Sequence, residues 1–411
     1  MKYGCIGEHL AHSFSKEIHS QIGEYDYILQ EIERENLDEF IEKKDFLGIN
    51  VTIPYKTDVI PHLYEISPQA KEIGAVNTIV NRDGRLYGYN TDFFGMSALI
   101  KKIGLNLKDK KVLVTGTGGT SKTACAVARS MGASEIIVAG RTGKDGSVTY
   151  EDVYKYHTDA RIIINTTPCG MYPNTSQSPV DTDCFKNLEG VADAVYNPLR
   201  TVFVQQIQKR GLPAEGGLYM LVAQAVFAAE KFMGTPLGTE CIDAIYKKIL
   251  LQKENIVLTG MPGSGKTTVG KILAEKCGFE FVDTDEYIRL KWGKTPEHII
   301  REDGIDAFRD AETKAIEEIS VKSGCVIATG GGAILREKNM DLLRQNGRIW
   351  FLDRPLEDIV PTSDRPLSSS AEDLKKRYDE RYDIYCSTAD EIIKTGADAI
   401  ATADIIGGKL V

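Results

Sequence analysis

Two glycine-rich loops of different design stand far apart in this chain, and each can hold phosphate. In Val112-Leu-Val-Thr-Gly-Thr-Gly-Gly-Thr-Ser121, Gly116, Gly118 and Gly119 lie between an apolar strand and a helix. Backbone N–H groups there can approach a dinucleotide pyrophosphate at the helix N-terminus. The spacing is G-x-G-G rather than G-x-G-x-x-G, and a glycine turn without a ligand has the same look. The end of the next strand bears on the cofactor. It reads Val138-Ala-Gly-Arg-Thr142, with no carboxylate for a ribose 2′-hydroxyl and with Arg141 where a 2′-phosphate would lie. That predicts NADP(H). The second loop, Gly260-Met-Pro-Gly-Ser-Gly-Lys-Thr267, matches G-x-x-x-x-G-K-[ST] after an apolar strand. Its amides form an anion nest, Lys266 reaches the outer phosphates of ATP or GTP, and Thr267 ligates Mg2+. Redox chemistry in one half and phosphoryl transfer in the other predict two enzymes joined end to end.

Substrate-binding residues should precede the dinucleotide unit. Three stretches there can do chemistry: Gly7-Glu-His-Leu-Ala-His-Ser-Phe-Ser15, Asn50-Val-Thr-Ile-Pro-Tyr-Lys56 and Gly88-Tyr-Asn-Thr-Asp92. Hydride reduction of a carbonyl leaves an oxyanion that needs a proton. Lys56 and Asp92, at the ends of neighbouring strands, could form a coupled pair for that step; read singly, each could be a surface charge. In the other half, Phe281-Val-Asp-Thr-Asp285 places two carboxylates at the expected end of a strand. One can hold Mg2+ through water and the other can accept a hydroxyl proton.

The elements that must position these residues follow from pattern. Strands are predicted at Tyr3–Ile6, Tyr25–Gln30, Gly48–Ile53, Thr78–Arg82 and Leu86–Asn90, with Asn81-Arg-Asp-Gly84 turning the last two into a hairpin. A helix is expected over Phe93–Ile103. Then come βα units with strands at Val112–Thr115, Glu135–Ala139, Arg161–Asn165 and Gly190–Val195 and a helix at Thr120–Met131. Continuous apolar strands alternating with helices predict a parallel sheet covered on both faces. Helices at Leu218–Met233 and Thr239–Leu251 leave only about Gln252 to Glu254 before the P-loop strand. The fold class is α/β throughout. The expected domains are 1–95, an α/β substrate domain completed by 218–251; 96–217, a Rossmann-type NADP domain; and 253–411, a P-loop small-molecule kinase domain with a parallel sheet.

The 411 residues suffice for several domains, and the net charge of −9 argues against a general nucleic-acid surface. The eight Cys show no C-x-x-C, a pattern of reduced thiols in a cytoplasmic protein. His9, His12 and His19 lie close in sequence without further clustered ligands, so no metal site is read there. Neither a signal peptide nor a membrane span is expected. The sequence does not fix the oligomeric state.

With Gly74-Ala-Val-Asn-Thr78, Asn165-Thr-Thr-Pro-Cys-Gly-Met171, Tyr196-Asn-Pro198 and Gly217-Leu-Tyr-Met-Leu-Val-Ala-Gln224, the first 250 residues or so closely resemble the shikimate dehydrogenases. The resemblance implies that Ser13, Ser15, Thr52, Asn77, Tyr196 and Gln224 hold a polyhydroxy ring and its carboxylate, and that Lys56 and Asp92 are the catalytic pair. It assigns NADP(H) to Gly116, Thr117, Gly118, Gly119, Thr120, Gly140, Arg141, Thr142, Ala194 and Gly217. Thr120 and Cys169 depart from the usual residues, away from the chemistry.

The second half carries Phe308-Arg309, Ala328-Thr-Gly-Gly-Gly-Ala333, Asp364-Arg-Pro-Leu367 and a late Arg381. As a set these resemble the shikimate kinases. The resemblance implies an ATP site at Gly263, Ser264, Gly265, Lys266, Thr267 and Thr268, with Arg365 closing on the phosphates as a lid arginine. It implies shikimate binding by Asp285, Arg309, Gly331 and Arg381, with Asp285 the base. Thr267 and, through water, Asp283 would hold Mg2+. The lid segment Ile359-Val-Pro-Thr-Ser-Asp364 is shorter than usual, and Arg381-Tyr-Asp-Ile-Tyr385 stands where Arg-x-Pro-Leu-Tyr is usual, which puts Asp383 near a proposed anchor. Together the resemblances imply reduction of 3-dehydroshikimate to shikimate, then phosphorylation of shikimate, in aromatic amino-acid biosynthesis. Two alternatives are weighed. One half could be a degenerate regulatory module, against which the intact Lys56/Asp92 and Lys266/Asp283/Asp285 sets argue. The first half could instead take a quinate-type substrate with NAD, which Arg141 disfavours.

Overall fold

A computed structural model describes residues 2–10, 14–144, 146–359, 371–396 and 398–410. The chain divides into two compact units, 1–249 and 250–411.

The first unit opens with strands β1 (Tyr3–Gly7), β2 (Tyr27–Glu31), β3 (Gly48–Val51), β4 (Glu65–Ile66), β5 (Thr78–Arg82) and β6 (Arg85–Tyr89). They form one sheet in the order β2-β1-β3-β5-β6-β4. β1 runs parallel to β2 and β3, whereas β5 is antiparallel to β3 and β6. The hairpin expected at Asn81–Gly84 is present, with Asp83 and Gly84 both at positive φ and the Asn81 carboxamide oxygen accepting from Gly84 N. Helices α1 (Ser15–Ile22), α2 (Leu37–Lys43) and α3 (Pro68–Ile73) intervene, and α4 (Thr91–Ile103) follows. α4 begins two residues earlier than expected, because the Asn90 carboxamide oxygen caps it by accepting from Phe93 N. It runs through the expected 95/96 boundary.

Strands β7 (Lys111–Thr115), β8 (Glu135–Ala139), β9 (Ile162–Asn165), β10 (Gly190–Asp193) and β11 (Ala214–Glu215) make an all-parallel second sheet, ordered β11-β10-β9-β7-β8. Helices α5 (Gly119–Ser130), α6 (Tyr150–Tyr156) and α7 (Val202–Lys209) connect these strands. Every residue of β9 and β10 is buried, as a strand covered on both faces requires. Then α8 (Leu218–Met233) packs against α4 and α1. α9 (Gly238–Lys253) extends two residues past its expected end, since Glu254 N still bonds to Leu250 O. The junction before the next strand is therefore Glu254 alone, not Gln252 to Glu254.

The second unit has one parallel sheet of β12 (Asn255–Thr259), β13 (Glu280–Asp283), β14 (Cys325–Ala328), β15 (Gly347–Asp353) and β16 (Glu391–Lys394), ordered β13-β14-β12-β15-β16. Its helices are α10 (Lys266–Cys277), α11 (Thr284–Trp292), α12 (Pro296–Asp303), α13 (Ile305–Ile319), α14 (Glu337–Asn346), α15 (Ala371–Thr388) and α16 (Ala399–Leu410). Two apolar clusters form the core, one holding Val257, Ile327 and Phe351, the other Leu258, Val326 and Trp350. These alternate along each strand, as the two faces of a sheet demand. No helix among the described residues is long and apolar enough to cross a membrane.

His19 is a core residue of the first unit. Its ring stacks on Tyr27 at 3.8 Å and its Nδ1 lies 2.6 Å from the Tyr25 hydroxyl. Burial pushes the imidazole down to about 3 from its ordinary 6.5. The folded state thus prefers neutral His19. The stability this contributes is complete above the unfolded pKa and is lost as pH falls from 6.5 toward 3. Acidification from pH 6.5 to 5 should cost this unit up to about 2 kcal/mol from this one group. The urea concentration that halves reductase activity should fall over that range, and His19→Phe should flatten the fall.

Candidate functional sites

In the first unit Lys56 and Asp92, the pair expected to handle the proton, meet. Lys56 Nζ lies 2.6 Å from Asp92 Oδ2, with both side chains about three-quarters buried. Lys56 stands in the turn after β3, its carbonyl held by Val76 N. Asp92 lies in the first turn of α4, where the helix dipole favours a carboxylate. Beside it, the Asn77 Oδ1 accepts from Thr91 N at 2.7 Å and from the hydroxyls of Thr78 and Thr91. Those bonds use only the oxygen of Asn77; Nδ2 takes part in none of them.

A close helix crossing brings the backbone and Cβ of Gln224 near this end of α4, while its Nε2 donates to Leu221 O. A Cβ on Gly95 would sit 2.7 Å from Met220 O and 2.9 Å from Gln224 Cβ. Only glycine lets α8 approach so near, one turn beyond Asp92. Tyr196 is mostly buried, which raises its hydroxyl above the usual range, and its ring lies 5.5 Å from Phe14. Thr52 N bonds to Ile6 O, setting Thr52 beside the end of β1. Ser15 is the first residue of α1 rather than a loop residue. Ser13 lies outside the described residues.

The dinucleotide loop has the geometry its glycines predict. Gly116 is at φ +103°, Gly118 is the residue preceding α5, and Gly119 and Thr120 open that helix. Thr117 packs on Gly140, where a Cβ would meet Thr117 Cγ2 at 2.8 Å. Arg141 and Thr142 follow exposed, and Arg141 forms no ion pair among the described residues. Across the sheet, a Cβ on Gly217 would fall 2.3 Å from Ala194 O, so the chain narrows there to bare backbone. Positive φ, a helix start and a glycine cradle suit a dinucleotide.

Sequence reasoning missed the support beneath this site. Asp193, fully buried, accepts from Asn165 Nδ2 (2.8 Å), Val195 N (3.0 Å) and the Thr201 hydroxyl (2.6 Å). Burial pushes its carboxyl up to about 6, against the pull of those donors. It ties the ends of β9 and β10 to the segment carrying Ala194 and Tyr196. The visible signal was a lone Asp ending an apolar strand.

The second unit holds a cleft of about 1030 Å³ lined by Gly263, Gly265, Lys266, Thr267 and Thr268. Gly263 and Gly265 have φ +86° and +95°, which turns the loop amides toward an anion. Lys266 Nζ donates to Gly260 O and Met261 O. The Thr267 hydroxyl donates to Asp283 Oδ2 at 2.8 Å, bringing both expected Mg2+ partners together. Ser264 does not line the cleft; its side chain is buried against Gly260. Ser264 can therefore offer the cleft only its backbone.

Asp283 ends β13, but Asp285 does not lie on the strand as expected; it is in the first turn of α11. The reason is capping: the Asp283 carboxylate accepts from Asp285 N and Glu286 N, so the helix starts at once. Asp285 faces the cleft beside Arg309, Gly331 and Arg381. The glycine run is required for space. A Cβ on Gly332 would lie 2.0 Å from the Arg309 guanidinium, and one on Gly330 2.9 Å from Asp285 Oδ1. Arg381 donates to Gly331 O, as does the Tyr385 hydroxyl. Asp383 is exposed and does not line the cleft. Arg365 lies outside the described residues.

Glu312 was also missed, although it sits one helical turn from Arg309. It is fully buried, bonds to Arg309 at 2.6 Å, and is pushed up to about 7 by burial against the pull of that arginine. The signal was the R-x-x-E spacing on a helix.

These geometries define a Rossmann-type dehydrogenase followed by a P-loop kinase. Comparisons with known proteins make the assignment particular. The family model for the shikimate dehydrogenase substrate binding domain matches residues 5–79, and that for shikimate kinase matches residues 262–406. The NADP(+) shikimate dehydrogenase of Clostridium beijerinckii is 38% identical over 261 residues, covering 59% of this chain and 96% of the relative. The crystal structure of shikimate dehydrogenase 1 from Peptoclostridium difficile superposes with a TM-score of 0.55 at 37% identity, over 61% of this chain and 98% of that one. The Thermus thermophilus shikimate 5-dehydrogenase, solved in complex with NADP(H) and shikimate, gives 0.54 at 29% identity, over 60% and 99%. The chain belongs to the shikimate dehydrogenase family and carries a shikimate kinase domain behind it.

Proposed function

We propose that this chain is a bifunctional cytoplasmic enzyme of aromatic amino-acid biosynthesis. Its first unit reduces 3-dehydroshikimate to shikimate, and its second phosphorylates the 3-hydroxyl of shikimate. The observation that carries the first reading is the 2.6 Å contact of Lys56 with Asp92, next to Thr91, whose N–H donates to Asn77.

When bound, NADPH supplies the hydride for the ketone carbon. The chain's own residues do the rest. Lys56 donates a proton to the developing alkoxide oxygen, and Asp92 holds the ammonium in place. Ser13, Ser15, Thr52, Asn77, Tyr196 and Gln224 orient the ring and carboxylate. Gly116–Thr120, Gly140–Thr142, Ala194 and Gly217 hold the dinucleotide, with Arg141 the partner for its 2′-phosphate.

In the second unit, ATP and Mg2+ supply the phosphoryl group and the charge that steadies it. Gly263–Thr268 and Arg365 hold the nucleotide, and Thr267 with Asp283 organises the metal. Asp285 takes the proton of the attacking hydroxyl, while Arg309, Arg381 and the Gly331 backbone orient the acid. Two assays on the intact chain test the reading: NADPH oxidation with 3-dehydroshikimate, and ADP release with shikimate. Both should proceed. Activity with NADH equal to that with NADPH would overturn the role of Arg141, and absence of either turnover would overturn the matching half.

A further inference from the structure

The kinase cleft contains more guanidinium groups than the acceptor site has been assigned. Besides Arg309 and Arg381, its lining includes Arg354 and Arg377. Both lack a hydrogen-bond partner for Nε among the described residues, although each Nε is buried. Arg354 follows β15, which pairs with the P-loop strand β12, and therefore stands on the nucleotide side. Arg377 is different. It sits four residues before Arg381 on α15, so the two share one face of the helix about 6 Å apart. Arg381 is anchored on Gly331 O beside Arg309.

We propose that Arg377 is a third guanidinium for the carboxylate of the kinase acceptor, acting beside Arg309 and Arg381. This rests on the proposed kinase reading and extends it to a residue that reading leaves idle. Arg377 forms no ion pair among the described residues, while Arg309 already has Glu312. Burial lowers the basicity of Arg377, and repulsion from Arg381 and Arg309 adds to that; Asp373 and Glu380 offset this only in part. Converging cations in a partly desolvated cleft hold an unmet demand for an anion. The acceptor's carboxylate meets it on the acceptor side, and a planar guanidinium can take it bidentately.

Steady-state kinetics on the full chain test this with Arg377→Leu and Arg377→Lys. The acceptors are shikimate and its carboxamide analogue. Arg377→Leu should raise KM for shikimate about tenfold or more, leaving kcat and KM for ATP unchanged. Arg377→Lys, which keeps charge but loses the fork, should recover part of that loss. KM for the carboxamide should be indifferent to both substitutions. An unchanged KM for shikimate, a rise confined to ATP, or an equal rise for acid and amide would each overturn the assignment. Should Arg377→Leu fail to fold, the Lys variant decides alone by the same acid-against-amide difference. No phosphorylation of shikimate by the unaltered chain would sink the kinase reading and this assignment together. Turnover by the unaltered chain with variants that behave like it would sink only the arginine.

Discussion

Lys266→Ala should abolish phosphorylation, by on the order of a thousandfold in kcat/KM, and leave reduction at its full rate. Lys266 is the first residue of α10 and is nine-tenths buried at the mouth of the anion nest. Its ammonium donates to Gly260 O and Met261 O at 2.8 and 2.9 Å, within the loop that must receive the phosphates. The substitution therefore removes both the cation proposed for the outer phosphates and a brace of the loop itself, so KM for ATP should rise while kcat falls. ADP release reads the first effect. NADPH oxidation by the same preparation reads the second, because residues 1–249 form their own compact unit. Loss of reduction along with phosphorylation would show that the two units do not work independently.

Local constraints made much of this molecule legible from sequence. A backbone that must take positive φ calls for glycine, so Gly116, Gly263 and Gly265 announced their loops in one dimension. Strands buried on both faces are continuous apolar runs, so β9 and β10 were found to within a residue or two of their ends. Where a capping bond competes with a strand, the boundary slips. Asp283 looked like one of two carboxylates on a strand tip, but its bonds to the amides of Asp285 and Glu286 end the strand at Asp283 itself. The slip matters for chemistry, because it puts Asp285 on a helix turn facing the cleft rather than on a strand tip.

What sequence could not supply is proximity between distant segments. Gly95 reads as a mild defect in a helix until α8 is seen against it, with Met220 O too near for any Cβ. Gly332 reads as one of three interchangeable glycines, yet it alone lies under the Arg309 guanidinium. Asp193 is a single acidic residue until its three donors arrive from β9, from the next loop and from the start of α7. Asp383 is the reverse case. Adjacency in sequence suggested interference with Arg381, but two residues along a helix turn a side chain to the opposite side. In each case the deciding contact belongs to tertiary packing, where a motif carries no information.

Lys56→Ala should lower kcat of reduction by about a hundred- to ten-thousandfold while changing KM for 3-dehydroshikimate little. The ammonium lies 2.6 Å from Asp92, whose position is fixed by the first turn of α4, by the Asn90 cap and by Asn77 on the neighbouring Thr91. That fixed contact suits the proton-donor role proposed for Lys56. Ring and carboxylate would remain held by the hydroxyl and amide groups assigned to them, so ground-state binding should survive the loss of Lys56. The alkoxide forming at the carbonyl would then lack its proton, and the barrier would rise in the transition state only. Asp92→Asn should give a smaller loss in kcat, since it leaves the amine but removes the carboxylate that orients it. Steady-state NADPH oxidation separates the two constants for each variant. A large rise in KM for Lys56→Ala at unchanged kcat would reassign Lys56 to holding the substrate and leave the proton donor to be sought elsewhere around the ketone.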